Sequence, residues 1–392
     1  MDLTPALVVQ TLQKKIDESP RFKSIIPGLG GHHHTLGGYF LRQPRALNTF
    51  KDTFKERTQN HIETVRIQTL DGDTLVGVMH VAQEGPRGVL HAFHGLAGSS
   101  DSTYMPRIAE VALGLGLTVV LWNHRGCGPG RKLAKHPYHS GRSDDLGRAV
   151  AWGRKQFPHL KQILLGYSLS ANATVLLSAG VIPSHDSRPL TKRGLQEVAW
   201  AELPDLSIAV NPPIDLEKSA LRLSHGPAKV YGQRFIVDLL QSLHDRAGTP
   251  HADQALRQLD KSFATLRFSV FDFDAAYTGI AGGFRDHRDY YHRASCGRYL
   301  TQSQIPLVVL TSEDDPITCG LSDLETPLDR RTHRNSLALD IQSEGGHMGY
   351  IDLNSIRAAW DAERRRWMEE RIAMYLMSYL NLMTPSSERM LS

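Results

Sequence analysis

Three side chains of complementary chemistry each stand just beyond a short apolar run: Ser168 after residues 163–165, Asp315 after 306–310 and His347 after 337–341. A serine hydroxyl is a weak nucleophile at neutral pH. A histidine that takes its proton, oriented by a carboxylate, makes it a strong one. The stretch Leu164-Leu-Gly-Tyr-Ser168-Leu-Ser170-Ala-Asn172 reads as a buried strand, one serine, and then a helix of small and aliphatic residues through 179. A sharp turn there would hold the hydroxyl clear of strand and helix, while the helix N-terminus favours developing negative charge. The pattern is Gly-x-Ser-x-Ser, with Ser170 where a second glycine normally lets the two backbones approach. The carboxylate is assigned to Asp315 over Asp314 because it directly precedes Pro316-Ile317, and the proline fixes the turn that follows it.

Such chemistry also needs donors for an oxyanion. Residues 89–93 form a buried strand that breaks into His94-Gly-Leu-Ala-Gly-Ser-Ser100, so the Leu96 N–H, with the Leu169 N–H after the serine, is expected to point at the tetrahedral oxygen. His94 itself reads as a structural histidine. Serine, then aspartate, then histidine, each at a strand's carboxyl end, is the α/β-hydrolase order.

The elements that must position these residues follow from periodicity. Residues 61–69 and 75–81 alternate apolar and polar around Asp71-Gly72-Asp73, which predicts a β-hairpin. Short apolar runs at 89–93, 117–122, 162–165, 206–210, 306–311 and 337–341 are separated mostly by helical stretches, 103–115, 143–157 and 169–179 among them. Strands alternating with helices predict a mostly parallel sheet, about eight strands, covered on both faces. Residues 215–292 break the alternation with helices at 216–223, 228–243 and 252–262 and an aromatic-rich segment from Phe268, which predicts a mainly helical cap inserted into the core. The expected division is an N-terminal helical and loop segment over 1–60, a core of 61–214 and 293–384, and the cap over 215–292. Residues 27–38 read as a loop by their glycine content, and 354–380 as one long closing helix. Its Arg364-Arg365-Arg366 run reads as a solvated face, Arg365 and Arg366 each paired with a glutamate four residues on, Glu369 and Glu370.

Composition narrows the field. The 392 residues carry 45 basic and 41 acidic side chains, a net charge of +4 that supplies no general field for nucleic acid or an anionic membrane. Three scattered cysteines, Cys127, Cys296 and Cys319, argue for a reducing compartment and against a disulfide framework or zinc cluster. No signal peptide or membrane-spanning run is read. Asn123-His-Arg-Gly-Cys-Gly-Pro-Gly130 begins like a dinucleotide fingerprint, but the last glycine of that motif would fall on Arg131. His32-His33-His34 lacks a second ligand group at metal spacing.

His94-Gly-Leu-Ala-Gly, Asn123-His-Arg-Gly, Gly166-Tyr-Ser-Leu-Ser, Pro212-Pro-Ile-Asp-Leu216, Phe271-Asp through Asp289-Tyr-Tyr291, Asp314-Asp-Pro316 and Gly345-Gly-His-Met-Gly349 together resemble the YheT-like α/β-hydrolases, a family of esterases related to the mammalian α/β-hydrolase-domain lipases. The resemblance runs from about residue 31 to 380. It implies Ser168 as nucleophile, Asp315 as acid, His347 as base and a mostly helical cap. Gly31-His-His-His-Thr-Leu36 resembles the family's His-x-Gln-Thr segment, which gives the histidine run a structural explanation. Where the family has Gly-Gly this chain has Ser170-Ala171, so the turn must accommodate two extra Cβ groups. The resulting expectation is a cytoplasmic serine carboxylesterase acting on small to medium-chain esters through an acyl-enzyme. It requires no cofactor or metal, no nucleic acid and no integral membrane association. A lipase, phospholipase or acyltransferase using the same triad, and a non-catalytic ligand-binding or scaffold protein on the same fold, are the alternatives.

Overall fold

The hairpin around Asp71-Gly72-Asp73 pairs β1 (Ile62–Gln68) antiparallel with β2 (Thr74–His80), and Gly72, at φ 84°, takes the left-handed conformation that reverses the chain. The computed structural model describes residues 4–28, 30–40, 62–82, 85–185, 188–263, 268–324, 335–358 and 365–383. Residues 41–60 of the expected N-terminal segment, together with His61, Trp360 and Arg364, lie outside the described residues.

Six further strands complete the sheet: β3 (Gly88–Phe93), β4 (Leu117–Asn123), β5 (Gln162–Tyr167), β6 (Leu206–Val210), β7 (Leu307–Ser312) and β8 (Leu337–Gln342). The order is β1-β2-β4-β3-β5-β6-β7-β8, with β2 antiparallel to β4 and every later pairing parallel. Strands β3 to β7 are buried at every residue, as parallel strands covered on both faces must be. On one face, Leu90, Leu121, Ile163 and Ile208 pack against α1 (Pro5–Glu18), α3 (Tyr104–Gly114) and α14 (Trp367–Met383). On the other, Val89, Val120 and Leu164 meet α4 (Ser143–Gln156), α5 (Leu169–Ser178) and α6 (Lys192–Ala199). Strand β3 has β4 on one side and β5 on the other, so the strand order reverses there and opens a crevice at the carboxyl ends.

Between β6 and β7 the chain forms α7 (Leu216–Arg222), α8 (Lys229–His244), α9 (Pro250–Phe263), α10 (Val270–Phe273), a single π turn (Asp274–Thr278), α11 (Gly279–Ala281) and α12 (His287–Ala294). Ile236, Leu239, Leu240 and Leu243 make one buried stripe on α8, packed with Phe273, Tyr277 and Ile317. Each such side chain is worth about 1.5–3 kcal/mol when fully buried.

Three readings of the sequence are corrected. Residues 31–40 are not loop but helix α2 (Gly31–Phe40). Its glycines serve close packing: a Cβ on Gly31 would lie 1.6 Å from the Asp314 carbonyl oxygen, and one on Gly38 2.8 Å from the Gly349 Cα. The closing helix is described as two pieces, α13 (Leu353–Ala358) and α14. The arginine run is not a wholly solvated face: Arg366 and Glu369 are buried, at 9% and 2% exposure. Helix α14 starts at Trp367, so Arg366 sits just before its first turn, and its Nη1 donates to the Gly38 carbonyl (3.5 Å).

Candidate active site

The carboxyl ends of β3, β5, β7 and β8 bring four loops together. At the end of β5, Ser168 adopts φ 54° and ψ −115°, a strained conformation for a non-glycine residue, and its N–H donates to the Val210 carbonyl (2.8 Å). Helix α5 begins at the next residue and is buried along its whole length. Strand and helix meet closely at Gly166, where a Cβ would lie 2.3 Å from Thr174 Oγ1 and 2.4 Å from the Ser170 carbonyl oxygen. The tight approach therefore falls on Gly166, and the turn accepts a side chain at residue 170.

That side chain is engaged. Ser170 Oγ donates to the His94 carbonyl oxygen and lies 2.6 Å from His124 Nε2. His94 Nδ1–H donates to the Gly95 carbonyl (2.7 Å), so its Nε2 accepts the His124 N–H (3.2 Å). Both rings are fully buried, and burial lowers both pKa values, that of His124 to about 4 and that of His94 well below 6.5. Two neutral histidines and one serine thus tie the loop after β3 to the start of α5.

That loop presents Leu96. On either side of it, the Gly95 N–H donates to Tyr104 Oη (2.9 Å) and the Ala97 N–H to Tyr138 Oη (3.1 Å). The loop lies against the serine: a Cβ on Gly95 would be 3.1 Å from Ser168 Cβ. Leu169 is the first residue of α5, and its N–H is among the donors that a helix leaves without an internal acceptor.

His347 and Asp315 complete the cluster. His347 Nδ1 lies 2.8 Å from Asp315 Oδ2, and its Nε2 lies 2.8 Å from Ser168 Oγ. Asp315 is buried; Oδ1 accepts from the Ile317 and Thr318 N–H groups (2.8 and 3.0 Å), and Oδ2 from Thr318 Oγ1 (2.8 Å) and Asn211 Nδ2 (3.0 Å). Burial alone would raise the pKa of this carboxyl. His347 and the two N–H donors outweigh burial and hold it below the usual carboxylate range. An ionised Asp315 takes the Nδ1–H of a neutral His347, which leaves Nε2 as acceptor for the Ser168 hydroxyl. Asp314 does different work: its Oδ1 accepts the Gly346 N–H (2.8 Å) and so anchors the histidine's loop. That loop turns through Gly345 (φ 148°), Gly346 (φ 59°) and Met348 (φ 58°), and Thr35 Oγ1 of α2 accepts the His347 N–H (2.8 Å).

All five residues singled out from the sequence, Leu96, Ser168, Leu169, Asp315 and His347, therefore lie in one cluster. Sequence reasoning missed Thr35, Asn211, Tyr104 and Tyr138. Asn211 had a signal, since it directly follows an apolar strand as Ser168 does; for Thr35 the one signal was the resemblance of residues 31–36 to the family's His-x-Gln-Thr segment.

Two cavities open from Ser168. One of about 440 Å³ lies between α2, α8, the Gly95–Gly98 loop and His347; the other, about 90 Å³, lies beneath α7, α8 and α10. Away from both, Asp71, Asp73 and His136 offer ligand atoms within 4.8 Å of one another. The Arg125 guanidinium occupies that spacing, with Nη1 2.6 Å from Asp71 and 3.0 Å from Asp73, and Nη2 2.7 Å from Asp145.

A mostly parallel eight-stranded sheet with helices on both faces, and with a serine on a strained strand-to-helix turn, defines an α/β-hydrolase fold. No family model matches the chain. It is 27% identical over 321 residues to YheT of Escherichia coli (strain K12), across 80% of this chain and 84% of that protein. It is 25% identical over 293 residues to a monoacylglycerol lipase of Saccharomyces cerevisiae, across 74% of this chain but only 58% of the yeast protein. A solved Pyrococcus furiosus esterase covers 83% of the chain at 17% identity and a TM-score of 0.45. The chain is thus similar to the YheT-like α/β-hydrolases. Among the described residues, no helix is long and apolar enough to cross a membrane.

Proposed function

We propose that this protein is a serine carboxylesterase in which Ser168 is the nucleophile, His347 the base and Asp315 the orienting acid. The observation that carries the reading is the continuous hydrogen-bonded chain from Asp315 Oδ2 through His347 to Ser168 Oγ, 2.8 Å at each link. His347 Nε2 takes the Ser168 proton as Oγ bonds to the ester carbonyl carbon, and Asp315 offsets the imidazolium charge. The carbonyl oxygen, now an oxyanion, accepts from the Leu96 and Leu169 N–H groups. Collapse breaks the bond to the alcohol oxygen, which leaves with the proton from His347. A water then gives its proton to His347, the hydroxide attacks the acyl-enzyme, and the acid departs as the proton returns to Ser168. The segment 215–292 acts as the cap over this site. The free thiols of Cys127, Cys296 and Cys319 suit a cytoplasmic location.

Hydrolysis of p-nitrophenyl esters, and covalent labelling by a fluorophosphonate probe, are the expected activities of the wild type. Ser168→Ala should lose labelling and at least about 10³-fold in kcat. Equal turnover by a folded Ser168→Ala protein would end the reading.

A further inference from the structure

The two cavities at Ser168 differ in one respect that the reaction makes decisive: His347 borders the larger and not the smaller. Leu96, Phe235 and Ile317 border both and form the partition between them. The two arms of an ester diverge from its carbonyl carbon, and with His347 as base they have different fates. The departing alcohol oxygen must take a proton from His347 Nε2, and the water that frees the acid must give one to it, so both need the side that His347 lines. The acyl group stays bonded to Ser168 Oγ throughout, and Leu169, whose N–H serves its carbonyl oxygen, borders only the small cavity.

Resting on the triad reading above, we infer that the small cavity is the acyl pocket and that the protein selects esters of short acyl groups carried on larger alcohols. Size sets the length: an apolar cavity of about 150 Å³ holds one benzene, so the 90 Å³ here takes about two to four carbons. Chemistry sets the class, because Leu216, Leu223, Leu239 and Val270 line the pocket. Two pairs of its polar groups engage one another: Tyr291 Oη donates to Asp274 (2.8 Å) and the Ser140 N–H donates to Tyr290 Oη (3.1 Å). The alcohol side is roomier and charged, with Arg107, Arg234 and Arg366 beside Asp238 and Glu369 along the larger cavity.

The test compares kcat/KM for p-nitrophenyl acetate, butyrate and octanoate in the wild type and in two variants of opposite sense. Wild type should fall at least about tenfold from butyrate to octanoate, the scale on which an ill-fitting pocket discriminates. Leu239→Ala opens the small cavity alone and should raise octanoate relative to butyrate at least about fivefold; Ala220→Leu fills it and should lower butyrate relative to acetate by about tenfold. Octanoate turned over as well as butyrate by wild type, or profiles unmoved in cooperatively melting variants, would overturn the assignment. Fluorophosphonate labelling of Ser168 in the same samples separates the two failures. A labelled serine with a flat chain-length profile sinks only the pocket assignment, whereas an unlabelled one sinks the triad reading and the assignment with it.

Discussion

Replacing Ser170 by alanine tests whether the residue that departs from the family's glycine is a working part of the site. The hydroxyl is fully buried, donates to the His94 carbonyl and lies 2.6 Å from His124 Nε2, so two buried hydrogen bonds disappear. At about 1 kcal/mol net for each bond, the loss is at most about 2 kcal/mol. It is reduced because His124 Nε2 already lies 3.2 Å from the His94 carbonyl oxygen and can donate there directly. We expect a drop of about 1 kcal/mol, or roughly 2 °C in Tm for a chain of this size. The larger effect is on rate. The His94 carbonyl belongs to the peptide just before the Gly95–Leu96 peptide, so exchanging its short bond to Ser170 for the longer one to His124 loosens the Leu96 N–H. Complete loss of an oxyanion donor costs about 10²–10³ in kcat, and a loosened one about tenfold, with KM changed less than about twofold. Because burial keeps His94 and His124 neutral, the ratio of wild-type to variant kcat should stay flat from about pH 6 to 9. A melting curve and p-nitrophenyl butyrate kinetics across that range decide it. Wild-type kcat together with an unshifted Tm would show that the hydroxyl holds nothing.

Two further perturbations address groups away from the reacting atoms. Burial pushes the Asp274 carboxyl from its ordinary 3.8 up to about 6, so between those values the folded protein holds a proton that the unfolded chain has released. Stability should therefore fall as pH rises through that window, by up to about 3 kcal/mol, and Asp274→Asn should remove this decline in urea titrations at pH 4 and 6.5. Arg125 is 1% exposed and bonds Asp71, Asp73 and Asp145; Arg125→Met strands these carboxylates and should cost about 3–5 kcal/mol in urea unfolding at neutral pH. A loss under about 1 kcal/mol would mean that water or rearrangement replaces the guanidinium.

What the sequence disclosed, and what it did not, follows from how far each signal reaches along the chain. Strands β3 to β7 were legible because a parallel strand buried on both faces must be nearly all apolar, and the loops that follow the carboxyl ends of such runs fall at the crevice. Ser168, Asp315 and His347 were found by that position, not by residue type. Helix α2 was illegible for a long-range reason: Gly31 and Gly38 look like turn residues locally, yet each is small because backbone of residues 314 and 349 passes against it. The solvated reading of the arginine run failed at Arg366 because α14 starts only at Trp367, and Arg366 there is buried with its guanidinium on the Gly38 carbonyl of α2.

The bond from the His347 N–H to Thr35 Oγ1 joins positions 312 residues apart, and a Cβ on Gly349 would lie 2.1 Å from the His34 carbonyl oxygen. A contact of that span has no local substitute, so the seat of the imidazole forms only with the tertiary structure and not from its own loop alone.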